Sequence, residues 1–268
     1  MQTLSNPSVD TAEITTNRAT RLFRISRVVF YTLAGTIITA SVFPLAKKPL
    51  RLWLIRWWSK RLLAAFNLQL ICKGHIPEKN TPLVNTMFVA NHISWADIHA
   101  INSVISSRFI AKSDIKSWPV FGYLANKANV LFIDRSKRQD AARIIDTAVL
   151  SLQSGDNLCL FPEGTTTDGT DIRPFKSSLF EAAIQANASI WPISIRYPYP
   201  DGRTNTGVAY AGETSLLESI QQVLYQKRPV VELCFLAPIH MQALPIETKD
   251  RRALARHVQQ LIQSNLGL

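Results

Sequence analysis

The chain has 268 residues, 47% of them hydrophobic, enough for one α/β domain of about 200 residues plus an appendage. Its net charge of +11 points to an anionic partner, whether nucleic acid, a membrane surface or a phosphorylated substrate. Cys72, Cys159 and Cys234 are isolated in sequence, which argues against a disulfide framework or a metal knuckle and fits a reducing compartment.

In chain order, residues 1–17 are polar and rich in Thr, Ser and Asn, the composition of a disordered tail. Residues 18–67 form a basic arm. Residues 1–61 hold ten Lys or Arg against Asp10 and Glu13, so +8 of the +11 lies there and +3 is left for the other 207 residues. Within the arm, residues 28–46 carry no charge, a length that can cross or enter a bilayer. A cleaved signal peptide fits poorly, because the run starts late and bases follow it rather than a small-residue cleavage site. A buried core helix is the alternative.

The next stretch, residues 49–67, winds so that Leu54, Ile55, Trp58, Leu62 and Phe66 share one face while Arg56, Lys60 and Asn67 fall on the other. With Trp53 and Trp57 at the flank it reads as an interfacial helix, or else as a helix docked on the domain's own core. From residue 68 onward, strands are expected at 88–90, 108–111, 130–133, 158–161, 190–195 and 230–235. Helices are expected at 95–106, 137–153, 175–186, 213–226 and 248–264. This alternation predicts an α/β fold, a mixed sheet flanked by helices, over residues 68–268.

Ligand sites in such sheets lie beyond the carboxyl ends of strands, and the informative residues fall there. Asn91-His92-Ile93-Ser94-Trp95-Ala96-Asp97 puts an imidazole and a carboxylate five residues apart. On one continuous helix these would point about 140° apart, so His92 must sit in the turn before the helix. Two readings remain open: Asp97 orients His92 as a general base, or Asp97 merely caps the helix by accepting a backbone N–H. Phe132-Ile133-Asp134-Arg135 ends another strand, and Arg135 suits a phosphate unless Asp134 neutralises it. Phe161-Pro162-Glu163-Gly164-Thr165 ends a third, with Gly164 permitting close backbone approach and Glu163 able to meet an acceptor's hydroxyls or orient the basic loop that follows. Phe175-Lys176-Ser177-Ser178 opens a helix where Lys176 can meet an anion.

Those blocks, followed by Ile190-Trp191-Pro192-Ile193, resemble in their order the glycerolipid acyltransferase family, which includes the 1-acylglycerol-3-phosphate acyltransferases. The resemblance covers roughly residues 68–240. It implies that His92 is a general base oriented by Asp97, and that Arg135, Glu163, Gly164 and Thr165, with Lys176, hold the acceptor. It implies acyl transfer from an acyl thioester, of coenzyme A or acyl carrier protein, to a lysolipid hydroxyl, with no cofactor, at the cytoplasmic face of a membrane. Backbone N–H groups near Gly164 would receive the oxyanion. The family's third block usually continues with arginine, but residue 166 is threonine. Together with Asp168-Gly169, that threonine looks more like the lyso-ornithine lipid acyltransferase branch.

Two other classes compete: an inactive membrane lipid-binding protein that keeps the fold, and a nucleic-acid binder suggested only by charge. The domain lacks a basic stripe with interleaved aromatics, so no nucleic-acid partner is expected. His75, His99, His240 and His257 stand apart with no ligand spacing, so no metal is expected either.

Overall fold

The computed structural model describes residues 15–78, 83–134, 138–245 and 248–268. Helix α1 (Arg18–Ser41) starts at Asn17, whose side chain accepts the Thr20 N–H at 2.8 Å. It therefore begins ten residues before the uncharged run and ends five before that run does. Helix α2 (Lys48–Phe66) has a proline in its first turn and ends at Asn67 in the left-handed region, φ 58°. The two form a hairpin, joined where Trp58 Nε1 donates to the Tyr31 carbonyl at 2.6 Å.

The face of α2 read as interfacial is covered by protein. Leu62 and Phe66 are buried in the domain core with Ile101, Phe109 and Val223. Docking wins because this face meets an equally apolar helix inside the chain, which removes the same area from water. Apolar side chains left outward belong mostly to α1, where Phe30 and Ile37 are each 64% exposed. Both ends of the hairpin are tied to the domain. At one end Arg24, only 6% exposed, donates to the Gln226 and Lys227 carbonyls at 2.6 and 2.7 Å. At the other, Lys48 pairs with Asp156 at 2.6 Å. Of the expected disordered tail, Thr16 N–H is bonded to the Tyr225 carbonyl, while residues 1–14 lie outside the described residues.

The domain follows in the order β1 (Gln69–Gly74), β2 (Thr86–Ala90), α3 (Ala96–Val104), β3 (Arg108–Lys112), α4 (Phe121–Lys127), β4 (Leu131–Ile133) and α5 (Arg138–Gln153). Then come β5 (Asn157–Leu160), α6 (Phe180–Gln185), β6 (Ser189–Arg196), α7 (Leu216–Tyr225), β7 (Val230–Phe235), β8 (Ile239–His240) and α8 (Arg251–Leu266). The sheet runs β1-β7-β6-β2-β5-β3-β4, with β8 beside β6. It is the mixed sheet expected: β6 pairs with β7 and with β8 antiparallel, and the other described neighbours are parallel.

Strand β2 shows why the sheet is covered on both faces. Phe88 and Ala90 point into one apolar cluster with α2, α3 and α7, while Met87 and Val89 point into another with α5, α6 and α8. Strand β1 escaped sequence reading because it lies at the edge and is half-exposed, its short apolar run Leu70-Ile71-Cys72 ending at once in Lys73-Gly74. The helix expected from residue 175 begins at Phe180. Phe175 and Lys176 instead give their N–H groups to Gln259 Oε1 and the Pro162 carbonyl, so both stay in a loop.

Gly35 marks the tightest point of the hairpin: a Cβ there would lie 2.5 Å from Trp58 Nε1. Gly35→Ala is expected to cost about 1–3 kcal/mol by overpacking, visible as a lower thermal unfolding midpoint of the detergent-solubilised protein.

Candidate active site

Strands β5, β2 and β6 are adjacent and parallel, so their carboxyl ends share one edge of the sheet. The residues that follow them, Phe161–Glu163, Asn91–His92 and Tyr197, therefore meet. Asn91 fixes the exit of β2 by bonding both the Ile195 carbonyl at 2.9 Å and the Ile195 N–H at 2.7 Å.

His92 then stands in the turn before α3, as the spacing demanded, with Nδ1 2.8 Å from Asp97 Oδ2. The same oxygen accepts the Ile93 and Ser94 N–H groups at 2.7 and 2.9 Å, so Asp97 contacts the imidazole and caps the turn at once. Its other oxygen accepts the Tyr197 hydroxyl at 2.5 Å. Asp97 and Tyr197 are fully buried. An unpaired carboxylate there would cost several kcal/mol, and four donors offset that cost. Burial, then the Asp97 charge, raises the Tyr197 phenol well above its ordinary range, so it stays a donor. The Ser94 hydroxyl meets the Ala96 N–H at 3.4 Å and the Tyr197 phenol, and the Asp97 carboxylate serves as the cap.

With Nδ1 against a carboxylate, the tautomer assigned carries its proton on that nitrogen and leaves Nε2 as the acceptor. The Phe161 ring stacks on the imidazole, centroids 3.9 Å apart and planes within 8°, so the ring cannot tip away from Asp97. His92 opens onto a cavity of about 540 Å³, walled by α1, α2, α3 and α4 and lined mainly by apolar side chains. Gly164, Thr165 and Thr166 border it beside His92.

Glu163 lies beneath the site rather than facing an acceptor. It is 3% exposed, and its two oxygens accept the His92 N–H at 2.7 Å and the Arg173 N–H at 2.9 Å. Burial pushes its carboxyl up to about 7, opposed by those two N–H bonds and assisted by the Asp97 charge. The Gly164 N–H, expected to serve an oxyanion, donates to the Phe161 carbonyl at 3.1 Å. Among the described residues the Thr165 and Thr166 N–H groups make no hydrogen bond. The Thr166 hydroxyl is engaged by the Tyr210 carbonyl, and Tyr210 in turn donates to Ile93 O at 2.9 Å. Lys176 and Arg173 are exposed and do not line the cavity, and Arg135 lies outside the described residues. Among the described residues no cluster of three metal-ligating side chains occurs.

Sequence reasoning missed Tyr197 and Asn91 as supports of the dyad. The available signal was position alone: Asn91 directly precedes His92 at the end of β2, and Tyr197 follows β6, the strand beside it.

The acyltransferase family model matches residues 73–196, from β1 to the end of β6. A lyso-ornithine lipid O-acyltransferase of Pseudomonas aeruginosa is 36% identical over 80% of this chain and 79% of its own. The chain belongs to the glycerolipid acyltransferase family. A 1-acyl-sn-glycerol-3-phosphate acyltransferase of Neisseria gonorrhoeae is 33% identical, covering 76% of this acyltransferase and 77% of its own chain. The crystal structure of a 1-acyl-sn-glycerophosphate acyltransferase from Thermotoga maritima superposes with a TM-score of 0.65 at 18% identity, over 92% of this chain and 96% of that one, a shared fold.

The raised Glu163 carboxyl has a consequence for stability. The folded state holds this proton up to about pH 7, whereas the unfolded chain releases it near 4.5. Between those values the native state binds more protons, so its stability falls as pH rises, by about 3 kcal/mol at most. Unfolding midpoints of the wild type should decline across that window. Glu163→Gln should flatten the slope, although the variant is weaker overall because an amide cannot accept both N–H groups.

Proposed function

We propose that this acyltransferase moves an acyl chain from an acyl thioester, of coenzyme A or acyl carrier protein, onto the hydroxyl of a lysolipid at a membrane surface. The observation that carries the reading is the His92–Asp97 dyad beside an apolar cavity of about 540 Å³ that His92 lines. The lysolipid oxygen attacks the thioester carbonyl while its proton passes to His92 Nε2. Asp97 holds the tautomer and stabilises the imidazolium. The tetrahedral intermediate then expels the thiolate, which takes that proton from His92, so a C–O bond replaces a C–S bond. The Thr165 and Thr166 N–H groups are the donors available to the oxyanion. No resident cofactor is needed.

Division of the chain follows the same logic, with residues 18–67 a membrane-associated arm and 68–268 the catalytic domain. Helix α1 is uncharged for 14 residues from Val28 to Ser41, about 21 Å at 1.5 Å per residue, against a hydrocarbon core of about 30 Å. Since both ends of the hairpin are fastened to the domain, its exposed flank lies along the surface rather than across the bilayer. Basic residues of α1 and α2 favour an anionic cytoplasmic leaflet. Replacing Phe30 and Ile37 together by Glu should lower binding to anionic vesicles at least tenfold, since burial of each side chain contributes about 1.5–3 kcal/mol; co-sedimentation measures it.

The acceptor on this reading is 1-acylglycerol-3-phosphate. A lyso-ornithine lipid is the second reading, favoured by Thr166 and by the 36% identical relative of that specificity. Purified protein tested with lysophosphatidic acid, lyso-ornithine lipid and lysophosphatidylglycerol decides between them. His92→Ala should cut transfer to every acceptor by at least ~10²-fold while still unfolding cooperatively, at a lower midpoint because Asp97 loses one of its four donors, and undiminished transfer would remove His92 from the chemistry. Thr166→Arg should raise the ratio of lysophosphatidic acid to lyso-ornithine lipid turnover, because it restores a cation beside the cavity mouth.

A further inference from the structure

Acyl transfer to a lysolipid brings two hydrocarbon chains to one imidazole, the chain being moved and the chain that the acceptor already carries. The cavity of about 540 Å³ that His92 lines is of a size that takes one ligand. A smaller recess of about 300 Å³ adjoins it, lined by Trp118, Pro119, Phe121, Leu216, Leu217 and Ile220. Trp118, Phe121, Leu216 and Ile220 line the cavity as well, so the two spaces share a wall.

One side of the recess is set by a tight turn into α4. Val120 lies at φ 62° and ψ −54°, and the Phe121 N–H donates to the Pro119 carbonyl at 2.6 Å, a γ-turn. A β-branched residue rarely adopts this backbone, and such strain persists where packing holds it, often at ligand clamps. The other side is the start of α7, where Leu216 and Ile220 fall four apart on one face. Ser219, next to Ile220, accepts the Trp95 Nε1 N–H at 3.1 Å, and Trp95 belongs to the turn between His92 and Asp97. The recess is thereby anchored to the catalytic turn.

Apart from the Trp118 indole, the lining side chains carry no polar atom. A headgroup or the amides of a pantetheine arm would find few partners there, whereas a hydrocarbon chain loses nothing. Leu217 is 65% and Val120 44% exposed, so the recess reaches the surface. Helices α4 and α7 both pack on α1, whose outward face is apolar. A chain can therefore pass from a lipid surface into the recess without crossing water. We propose that this recess holds the acyl chain already carried by the acceptor, while the cavity takes the chain being transferred. This rests on the reading of the cavity as the site of the transferred chain.

The test varies one chain at a time, with the full protein in detergent. Acceptors with hexanoyl, octanoyl and decanoyl chains on one headgroup, at a fixed thioester donor, probe the recess; thioesters from octanoyl to palmitoyl, at a fixed acceptor, probe the cavity. Wild-type kcat/KM should rise with acceptor length by about fourfold for each methylene that enters the recess. Leu217 lines the recess and not the cavity, and its exposure lets the fold tolerate a charge. Leu217→Asp should cut turnover of the decanoyl acceptor relative to the hexanoyl one by about tenfold or more, through KM, and leave the donor-length profile unchanged. Leu217→Met should restore the slope. Replacing Phe30 and Ile37 by Glu alters lipid contact but not the recess, and should keep the wild-type slope. A wild type indifferent to acceptor length, a slope that survives Leu217→Asp, or a change in the donor profile in its place overturns the assignment of the recess. A wild type indifferent to donor length overturns the reading of the cavity instead.

Discussion

The Asp97 carboxylate is the point on which the site depends. It lies at zero exposure, and it is tolerable there only because His92 Nδ1, the Ile93 and Ser94 N–H groups and the Tyr197 hydroxyl all converge on it. Each donor belongs to a different structural decision. The two amides require the chain to turn sharply after β2, the imidazole requires that turn to precede α3, and the phenol requires β6 to lie beside β2. Sheet order, turn and helix start are therefore fixed together by one anion. Glu163 repeats the device one strand away, drawing the His92 and Arg173 amides onto a second buried carboxylate and tying the loop after β5 to the catalytic turn.

Much of this was legible in the sequence, for reasons that can be located. Spacing alone forced His92 out of the helix, because residues five apart cannot share a helical face. The α/β alternation was readable because β2, β5 and β6 are central strands buried on both sides, so they appear as short apolar runs. Strand β1 was not, since an edge strand need not be apolar. Glu163 was read either as meeting an acceptor or as orienting the loop that follows, and the resemblance implied the acceptor; only tertiary packing shows both its oxygens taken by backbone, one of them by Arg173 of that loop. Tyr197 stands a hundred residues from Asp97, and no local pattern connects them.

The α2 helix shows a subtler ambiguity. Its apolar stripe was real, but periodicity reports that a face is buried and not what buries it. Here the domain supplies the cover, and the outward apolar surface passes to α1. Thr166 is similar in kind: its identity departs from the family's habit, and its hydroxyl is spent on the Tyr210 carbonyl, so the loop is held by a neutral bond where a cation would have projected.

Latched by Arg24 and Lys48, the hairpin would, on the function proposed, be at once the surface turned toward lipid and a wall of the acyl cavity. Val28, Thr32 and Gly35 line the inside of the same helix whose Phe30, Leu33 and Ile37 face outward. Membrane address and chain preference are thus written on alternate sides of one helix a single backbone thick. A lineage adapting to a thinner or stiffer bilayer would inherit a reshaped acyl pocket with it, so the two traits would be expected to drift together rather than be tuned apart.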